Sequence, residues 1–409
     1  MMPFNPEEAL RRTKREFGEH GGVAPSLSRS STFTVMEPGI MPEIFQGVRG
    51  PDKGGCYLYS RHFNPTVNVL SRYLAAMEDT EFALCTASGM AAISCPLLQL
   101  CEHGDHIVAS DTVYGGTYAL LDSLLPKMGI RTTFVDITDL SAVSAAVNDR
   151  TRVLYTEAVG NPTLKVADLP GLSSLAKRFG AALVVDNTFT PIVLTPSHLG
   201  ADVVIHSLTK FINGASDLLG GVICADRDFV YRLMDLHHGR AMLLGPVLDP
   251  RAAFDVLQRL PHLPLRMREH GARAMAIASR LEEIGAPVIY PGLASHPHHE
   301  RLRSMVNEGF GYGGIFSIDC GTRDIANRLM SILQNKEAFG LIAVSLGYFD
   351  SLISNSGAST SSEIAPEDQK KMGISPGLVR ISVGYTGGLD ERIAEIERAV
   401  RDVGLARNH

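Results

Sequence analysis

Three things are missing from this 409-residue chain: a cysteine pattern, an excess of basic charge and a long apolar run. Its six cysteines, Cys56, Cys85, Cys95, Cys101, Cys224 and Cys320, are scattered, mostly in apolar surroundings, with no CxxC pair and no zinc-ligand spacing. They read as reduced core thiols, which argues against a disulfide scaffold. A net charge of −6 with 20% charged residues offers no electrostatic footprint for nucleic acid or for an anionic membrane. No stretch has the length needed to span a bilayer, and MMPFNPEEALRRTKREF lacks the apolar centre of a secretory signal. The expected location is the cytoplasm. No repeat of solenoid period is present.

What is there is ordinary soluble composition, 45% hydrophobic, in a chain longer than one core usually organises. After a polar N-terminal segment, the stretch from about Gly21 to Tyr59 is rich in Gly, Pro and Ser and follows neither the helical nor the strand period. Such a segment is either disordered or an extension that packs on something else. From about Thr66 the pattern changes. VNVLSRYLAAME, GMAAISCPLLQLC and TYALLDSLLPKMG read as helices, and ALCTASG, HIVAS, TTFVD, VLYTE, ALVVD and DVVIHS as short apolar strands between them. Alternation of this kind implies an α/β fold whose mostly parallel sheet is covered on both faces, with ligands at the carboxyl ends of the strands. Residues from about Asp226 to Glu283 read as long helices, and FSIDCG, ANRLMSILQ, LVRISVG and ERIAEIERAVRDVG as a smaller α+β part. The expected division is an arm over residues 1–60, a large domain over 61–262 and a small domain over 263–409.

Chemistry concentrates at the strand ends. In DVVIHSLTKFINGASDLLGGVI an apolar strand runs into Ser207, Thr209 and Lys210. A lysine buried there loses its charge readily and becomes a Schiff-base nucleophile, and the two hydroxyls can hold a phosphate. Taken alone, a lysine after a strand is more often a surface residue with its stem along apolar neighbours. ALVVDNTF puts Asp186 at another strand end, twenty-four positions before Lys210 and so expected on a neighbouring strand. A buried carboxylate needs a partner, and a protonated heterocyclic nitrogen is one that also strengthens an electron sink. Its ordinary alternative is a cap on the next turn. CTASGMAAI sets Ser88, Gly89 and Met90 at a strand-to-helix turn whose free N–H groups can cradle a phosphate, or simply make the turn. SDTVYGGTYA offers Tyr114, either a ring to stack on a flat cofactor or a core tyrosine.

Two patterns are set aside. GFGYGG, Gly309 to Gly314, has the letters of a dinucleotide fingerprint, yet it precedes the apolar run IFSIDC instead of following a strand and opening a helix. His296, His298 and His299 in SHPHHE lie in a Pro- and Gly-rich loop with no further ligand cluster.

Together, YSRHFNPT, ASGMAAI, YGGTY, GNPT, VVDNTF, HSLTKFINGASD, AVSLGYFDSLI and GLVRISVG occur in an order and spacing that resembles the trans-sulfuration enzymes of cysteine and methionine metabolism, from about Gly21 onward. The resemblance implies pyridoxal 5′-phosphate (PLP) as cofactor and the aspartate-aminotransferase fold, fold type I. It implies that Lys210 binds PLP, that Asp186 pairs with the ring nitrogen, that Tyr114 stacks on the ring and moves protons, and that Gly89, Met90, Ser207 and Thr209 hold the phosphate. Tyr59 and Arg61 of YSR are implied to reach the phosphate of a neighbouring subunit, which gives the arm a purpose in an obligate oligomer, usually a tetramer of two dimers. Asn161, Ser345 and Arg380 are implied to fix the α-carboxylate of a small amino-acid substrate, a planar guanidinium gripping it in two places.

The resemblance also frames the reaction. Lys210, once displaced by the incoming amine, is the base at Cα, and Tyr114 is the acid for a group leaving Cγ. Val344 stands where members that handle cystathionine commonly carry a glutamate and methionine γ-lyases a valine, which points to a γ-lyase. Gly116 stands where methionine γ-lyases usually have a cysteine, and NSGASTSS keeps Thr360 while replacing two histidines by Asn355 and Ser361. These changes are expected to make the pocket more polar and to suit a leaving group such as the oxyguanidine of canavanine beside that of methionine. The competing readings are a γ-replacement enzyme of the cystathionine γ-synthase or O-acylhomoserine sulfhydrylase type, a cystathionine γ- or β-lyase, and a catalytically silent binding or regulatory relative.

Overall fold

The computed structural model describes residues 4–46, 48–50, 56–357, 367, 369 and 372–407. Its larger sheet has seven strands: β1 (Phe82–Thr86), β2 (His106–Ser110), β3 (Arg131–Val135), β4 (Thr151–Glu157), β5 (Ala182–Asp186), β6 (Val203–Ser207) and β7 (Gly221–Ala225), in the order β1-β7-β6-β5-β4-β2-β3. β3, β2, β4, β5 and β6 are parallel, and β7 runs antiparallel to both β6 and β1. Strands β1, β2 and β7 are buried at every position, and β1 and β2 accordingly read as continuous apolar runs without alternation. Side chains of one face, such as Val108, Leu154, Leu183 and Val204, join one apolar core. Those of the other, such as Ile107, Tyr155, Val184 and Ile205, join a second.

This sheet sets the geometry that matters. Glu157 is in register with Asp186 across β4 and β5, and Asp186 with Ile205 across β5 and β6. The carboxyl ends of these three strands therefore lie along one edge, two residues before Ser207.

A smaller sheet of five strands, β8 (Val288–Ile289), β9 (Ile315–Asp319), β10 (Leu341–Ile342), β11 (Leu352–Asn355) and β12 (Leu378–Ser382), has the order β10-β11-β12-β9-β8. Helices Leu263–Glu283, Arg323–Asn335 and Leu389–Asp402 cover it and share a core through Ile277, Leu281, Leu329, Ile381 and Ile396.

Two helical expectations are corrected. The TYALLDSLLPKMG stretch is not one helix: an α-helix at Gly115–Ala119 passes into a π turn at Leu120–Leu124 and a 3-10 turn at Leu125–Met128. Pro126 has no N–H to continue an α ladder there. Between Asp226 and Glu283 only Leu263–Glu283 is long; before it come Arg227–Leu233, Arg240–Leu244 and Pro250–Arg259, each separated by a glycine or proline. The N-terminal arm is tied to the body by hydrogen bonds, among them Ser28 N–H to Thr66 Oγ1 at 2.8 Å, Thr66 Oγ1 to Ser26 O at 3.1 Å and Asn64 Nδ2 to Ser28 O at 3.1 Å. Among the described residues, no helix is long and apolar enough to cross a membrane.

Candidate active site

A cavity of about 210 Å³ opens at the carboxyl edge of the larger sheet. Lys210, Asp186, Tyr114, Asn161, Gly89, Met90, Ser207 and Thr209 all line it, so eight of the residues singled out in the sequence share one space. β6 delivers three of them. It ends at Ser207, and the turn that follows, closed by Lys210 N–H to Ser207 O at 3.3 Å and Gly214 N–H to Lys210 O at 2.8 Å, carries Lys210 into the cavity. The Lys210 amine donates to Ser345 Oγ at 3.0 Å. Burial, with the Arg380 cation as a second cause, lowers its pKa to about 8, the direction a nucleophilic amine needs.

The opposite wall is the start of helix Gly89–Leu100. Ser88 caps it, its Oγ accepting from Ala91 N–H at 3.2 Å, and the helix N-terminus presents backbone N–H groups to the cavity. Gly89 is required by close approach, because a Cβ there would stand 2.9 Å from both Cβ and Oγ of Ser207. The Thr209 hydroxyl accepts from Gly220 N–H at 3.1 Å, and the residue lines the cavity. Asp186, at the end of β5, accepts from Thr188 N–H at 2.9 Å, and burial raises its pKa.

On the side of the smaller sheet, Arg380 comes from β12 and is only 2% exposed. Its guanidinium donates to two uncharged oxygens, Asn161 Oδ1 at 2.9 Å and Ser345 O at 3.1 Å. Burial brings it down to about 10. A buried cation held by neutral oxygens is ready for an anion with two acceptor atoms.

Other expected residues lie elsewhere. Val344 is 67% exposed and does not line the cavity. Tyr59 is 45% exposed, with the Arg61 guanidinium 5.6 Å from its ring centroid and Arg61 Nη1 bonded to Met242 O at 3.0 Å; neither residue lines this chain's cavity. Asn355 turns Nδ2 to Pro376 O at 3.0 Å, away from the lining. Thr360 and Ser361 lie outside the described residues. The rings of His298 and His299 are bonded to backbone, to Val166 N–H and Pro291 O. GFGYGG runs into β9, not into a helix.

Sequence reasoning missed Glu157, Thr188 and Phe189, and the apolar lining of Ile93, Val159, Leu219 and Leu346. Glu157 had a signal: a lone acidic residue ending the apolar run VLYTE at the same edge as Asp186. Leu219, inside a Gly-rich loop, had none.

Residues 8–401 match the family model described as Cys/Met metabolism PLP-dependent enzyme. The chain belongs to that family. A methionine gamma-lyase from Arabidopsis thaliana is 54% identical to this PLP-dependent enzyme over 97% of its chain and 90% of the relative. A cystathionine gamma-lyase from Bacillus subtilis is 38% identical over 95% of this chain and 97% of its own. In three dimensions the enzyme resembles a putative O-acetylhomoserine (thiol)-lyase from Campylobacter jejuni, with a TM-score of 0.88 and 27% identity over 97% of this chain and all of that one. That relative's structure contains an N′-pyridoxyl-lysine-5′-monophosphate residue.

The cavity fits PLP on its own terms. It offers a depressed amine, a cradle at a helix start that a Cβ on residue 89 would fill, and a carboxylate whose pKa burial raises and which a cationic ring nitrogen would suit.

Proposed function

We propose that this enzyme is a γ-lyase that removes a heteroatom group from Cγ of an L-amino acid, with methionine as the first substrate and canavanine the second. One observation carries the reading: Lys210, with its lowered pKa, shares a cavity with Asp186 and Asn161 and donates to Ser345, whose carbonyl together with Asn161 Oδ1 holds Arg380, so one amine can serve both the cofactor side and the carboxylate side. Bound PLP supplies a conjugated, electron-withdrawing heterocycle that stabilises negative charge at the substrate's Cα. Lys210 would hold the cofactor covalently and, once released by the substrate amine, take the Cα proton at Nζ. Asp186 would keep the ring nitrogen protonated, and the Gly89 and Met90 N–H groups with the Ser207 and Thr209 hydroxyls would bind the phosphate. Arg380 and Asn161 would orient the substrate by its carboxylate. Tyr114 would stack on the ring and hand its phenolic proton to the departing heteroatom. With methionine and one water the products are 2-oxobutanoate, ammonia and methanethiol.

Support for elimination from a sulfur or oxygen substituent comes from the apolar lining of Ile93, Val159, Leu219 and Leu346 and from the 54% identical methionine gamma-lyase. Val344, next to Ser345 in the chain, supplies no charge for a distal amino group. Tyr59 and Arg61, adjacent and outside their own cavity, are proposed to complete the phosphate site of a second copy, within a cytoplasmic homotetramer whose dimers share active sites.

The test is a product screen by mass spectrometry on PLP-loaded protein with methionine, canavanine, homocysteine, cystathionine and O-acetylhomoserine, each with and without a thiol. Release of a 2-oxo acid and ammonia from methionine without added thiol is expected. Turnover that occurs only with O-acylhomoserine plus thiol would make it a γ-replacement enzyme.

A further inference from the structure

Glu157 ends β4 beside Asp186, and its two oxygens have different partners. Oε1 accepts the backbone N–H of Tyr114 at 2.6 Å, and Oε2 accepts the backbone N–H of Asn161 at 2.8 Å. These donors open two separate connections, one following β2 and the other following β4 itself. Tyr114 brings the aromatic ring of the cavity; Asn161 brings the amide oxygen that holds Arg380 at 2.9 Å. One carboxyl group thus spans the two loops that carry the ring side and the carboxylate side of the site.

We propose that Glu157 is a positioning residue of this enzyme: by holding the Tyr114 and Asn161 backbones on its two oxygens it sets the placement of the aromatic ring relative to the Asn161 and Arg380 clamp, and so governs how tightly an α-amino acid is gripped. The inference rests on the PLP-enzyme reading above but on no choice of substrate.

A neutral packing group could fill this space, but burying a carboxyl here costs something. Glu157 is raised to about 8 first by burial and then by the Asp186 charge, so the pair of carboxyls is an unfavourable one. The two N–H bonds and the nearby Arg380 cation favour the ionised form and offset part of that cost, and only a two-oxygen acceptor can make both bonds at once. Glutamine can accept from one N–H; its own NH2 then faces the other donor. Aspartate keeps the two-oxygen carboxyl but is one methylene too short to span both. Catalytic sites lose function from displacements of about 1 Å, which is the scale of these changes.

The experiment uses PLP-loaded wild type and the variants Glu157→Gln, Glu157→Asp and Glu157→Ala. The probe is L-norleucine, which has the amine and carboxylate but no heteroatom to expel. Its Kd is read from the change in the cofactor's visible absorbance, and the visible circular dichroism of the bound cofactor reports the ring's surroundings. Cofactor per chain is measured alongside. Expected is a full cofactor complement in Glu157→Gln with altered visible dichroism and a Kd raised about 10-fold or more, matched by Glu157→Asp. The Glu157→Gln effect should shrink to less than about 3-fold when Asn161 is already alanine, because alanine keeps the backbone N–H that Glu157 holds but lacks the amide oxygen whose placement on Arg380 that bond sets. Norleucine binding within 2-fold of wild type in Glu157→Gln, with unchanged dichroism, would overturn the proposal, as would equal effects in the presence and absence of Asn161. If Glu157→Ala alone fails to fold, the Gln and Asp variants decide. Should the wild type bind norleucine but eliminate nothing from methionine, the γ-lyase reading falls while the role of Glu157 stands.

Discussion

The Lys210 amine and the Ser345 hydroxyl oxygen are 3.0 Å apart although one follows β6 of the larger sheet and the other lies between β10 and β11 of the smaller. Gly347 lets these segments meet: a Cβ there would fall 2.5 Å from Phe211 N. The reactive amine is therefore aimed by both sheets, and its environment, including the Arg380 cation, is built by both.

That environment has a pH signature. A lysine brought down to about 8 is roughly one-tenth neutral at pH 7, against about one part in 3,000 for an unperturbed amine. Only the neutral amine attacks a carbonyl, so capture of added PLP by the apoprotein should accelerate about tenfold per pH unit below 8 and level off above it. Stopped-flow absorbance between pH 6 and 10 checks this; a rate still climbing at pH 10 would show that the amine is not depressed. Lys210→Ala protein should come colourless from gel filtration.

Asp186 yields a prediction whose sign differs between the empty and the loaded protein. Burial raises its folded pKa above the unfolded value, so the folded apoprotein binds the extra proton, and stability is lost as pH rises from the unfolded pKa through the raised one. At neutral pH the carboxyl thus destabilises the empty fold, and a cationic ring nitrogen reverses the effect. Asp186→Asn should leave the apoprotein at least as stable as wild type, about 1–3 °C higher in Tm, while the gain in Tm on adding PLP shrinks. Differential scanning calorimetry with and without PLP reads both; a lower apo Tm together with an undiminished PLP gain would contradict it.

How much of this was legible beforehand depends on the kind of residue. Asp186 and Lys210 announced themselves because a polar group at the end of an apolar run is costly, and the spacing between them matched neighbouring strands, as the β5 and β6 pairing shows. The antiparallel β7 was hidden inside a Gly-rich stretch. Its alternating sense has no imprint on a strand buried on both faces. Arg380 was found by resemblance alone, since nothing in LVRIS says that its side chain faces another sheet's loops. The three kinds of helical turn after Tyr114 share one apolar pattern, and only Pro126 hinted at the change. Tertiary approach was least legible of all: that Gly116 lies under the Tyr114 ring is a matter of how the turn folds.

At Gly116 an added Cβ would stand 2.5 Å from Tyr114 Cε1 and 3.1 Å from Met90 Sδ. The ring therefore rests where only glycine leaves room, and any side chain must tilt it. Gly116→Ala should fold normally, keep its PLP and lose about 10-fold in kcat/KM for methionine, with a change in the cofactor's visible dichroism. Since Tyr114 also donates its backbone N–H to Glu157, the displaced ring cannot be relieved by sliding the whole residue without losing that bond. Unchanged kinetics and dichroism in Gly116→Ala would show that the ring adjusts freely.

Arg61 separates a site complete in one chain from a site shared by two. Its guanidinium lies over Tyr59 and is bonded to Met242 O, outside the cavity that holds its own Lys210. If the pair serves a second copy, Arg61→Ala and Lys210→Ala proteins are each nearly inactive but damage opposite partners of one site. After joint unfolding and refolding of an equimolar mixture, half of the dimers are mixed. Each mixed dimer has one site with Lys210 and Arg61 both intact and one with neither. Activity should then recover to about one-quarter of wild type, the fraction set by two-fold symmetry and random pairing. Were both residues to act within a single chain, every site in the mixture would keep one lesion and no recovery would occur. The assay is methionine elimination in the refolded mixture, against each variant refolded alone.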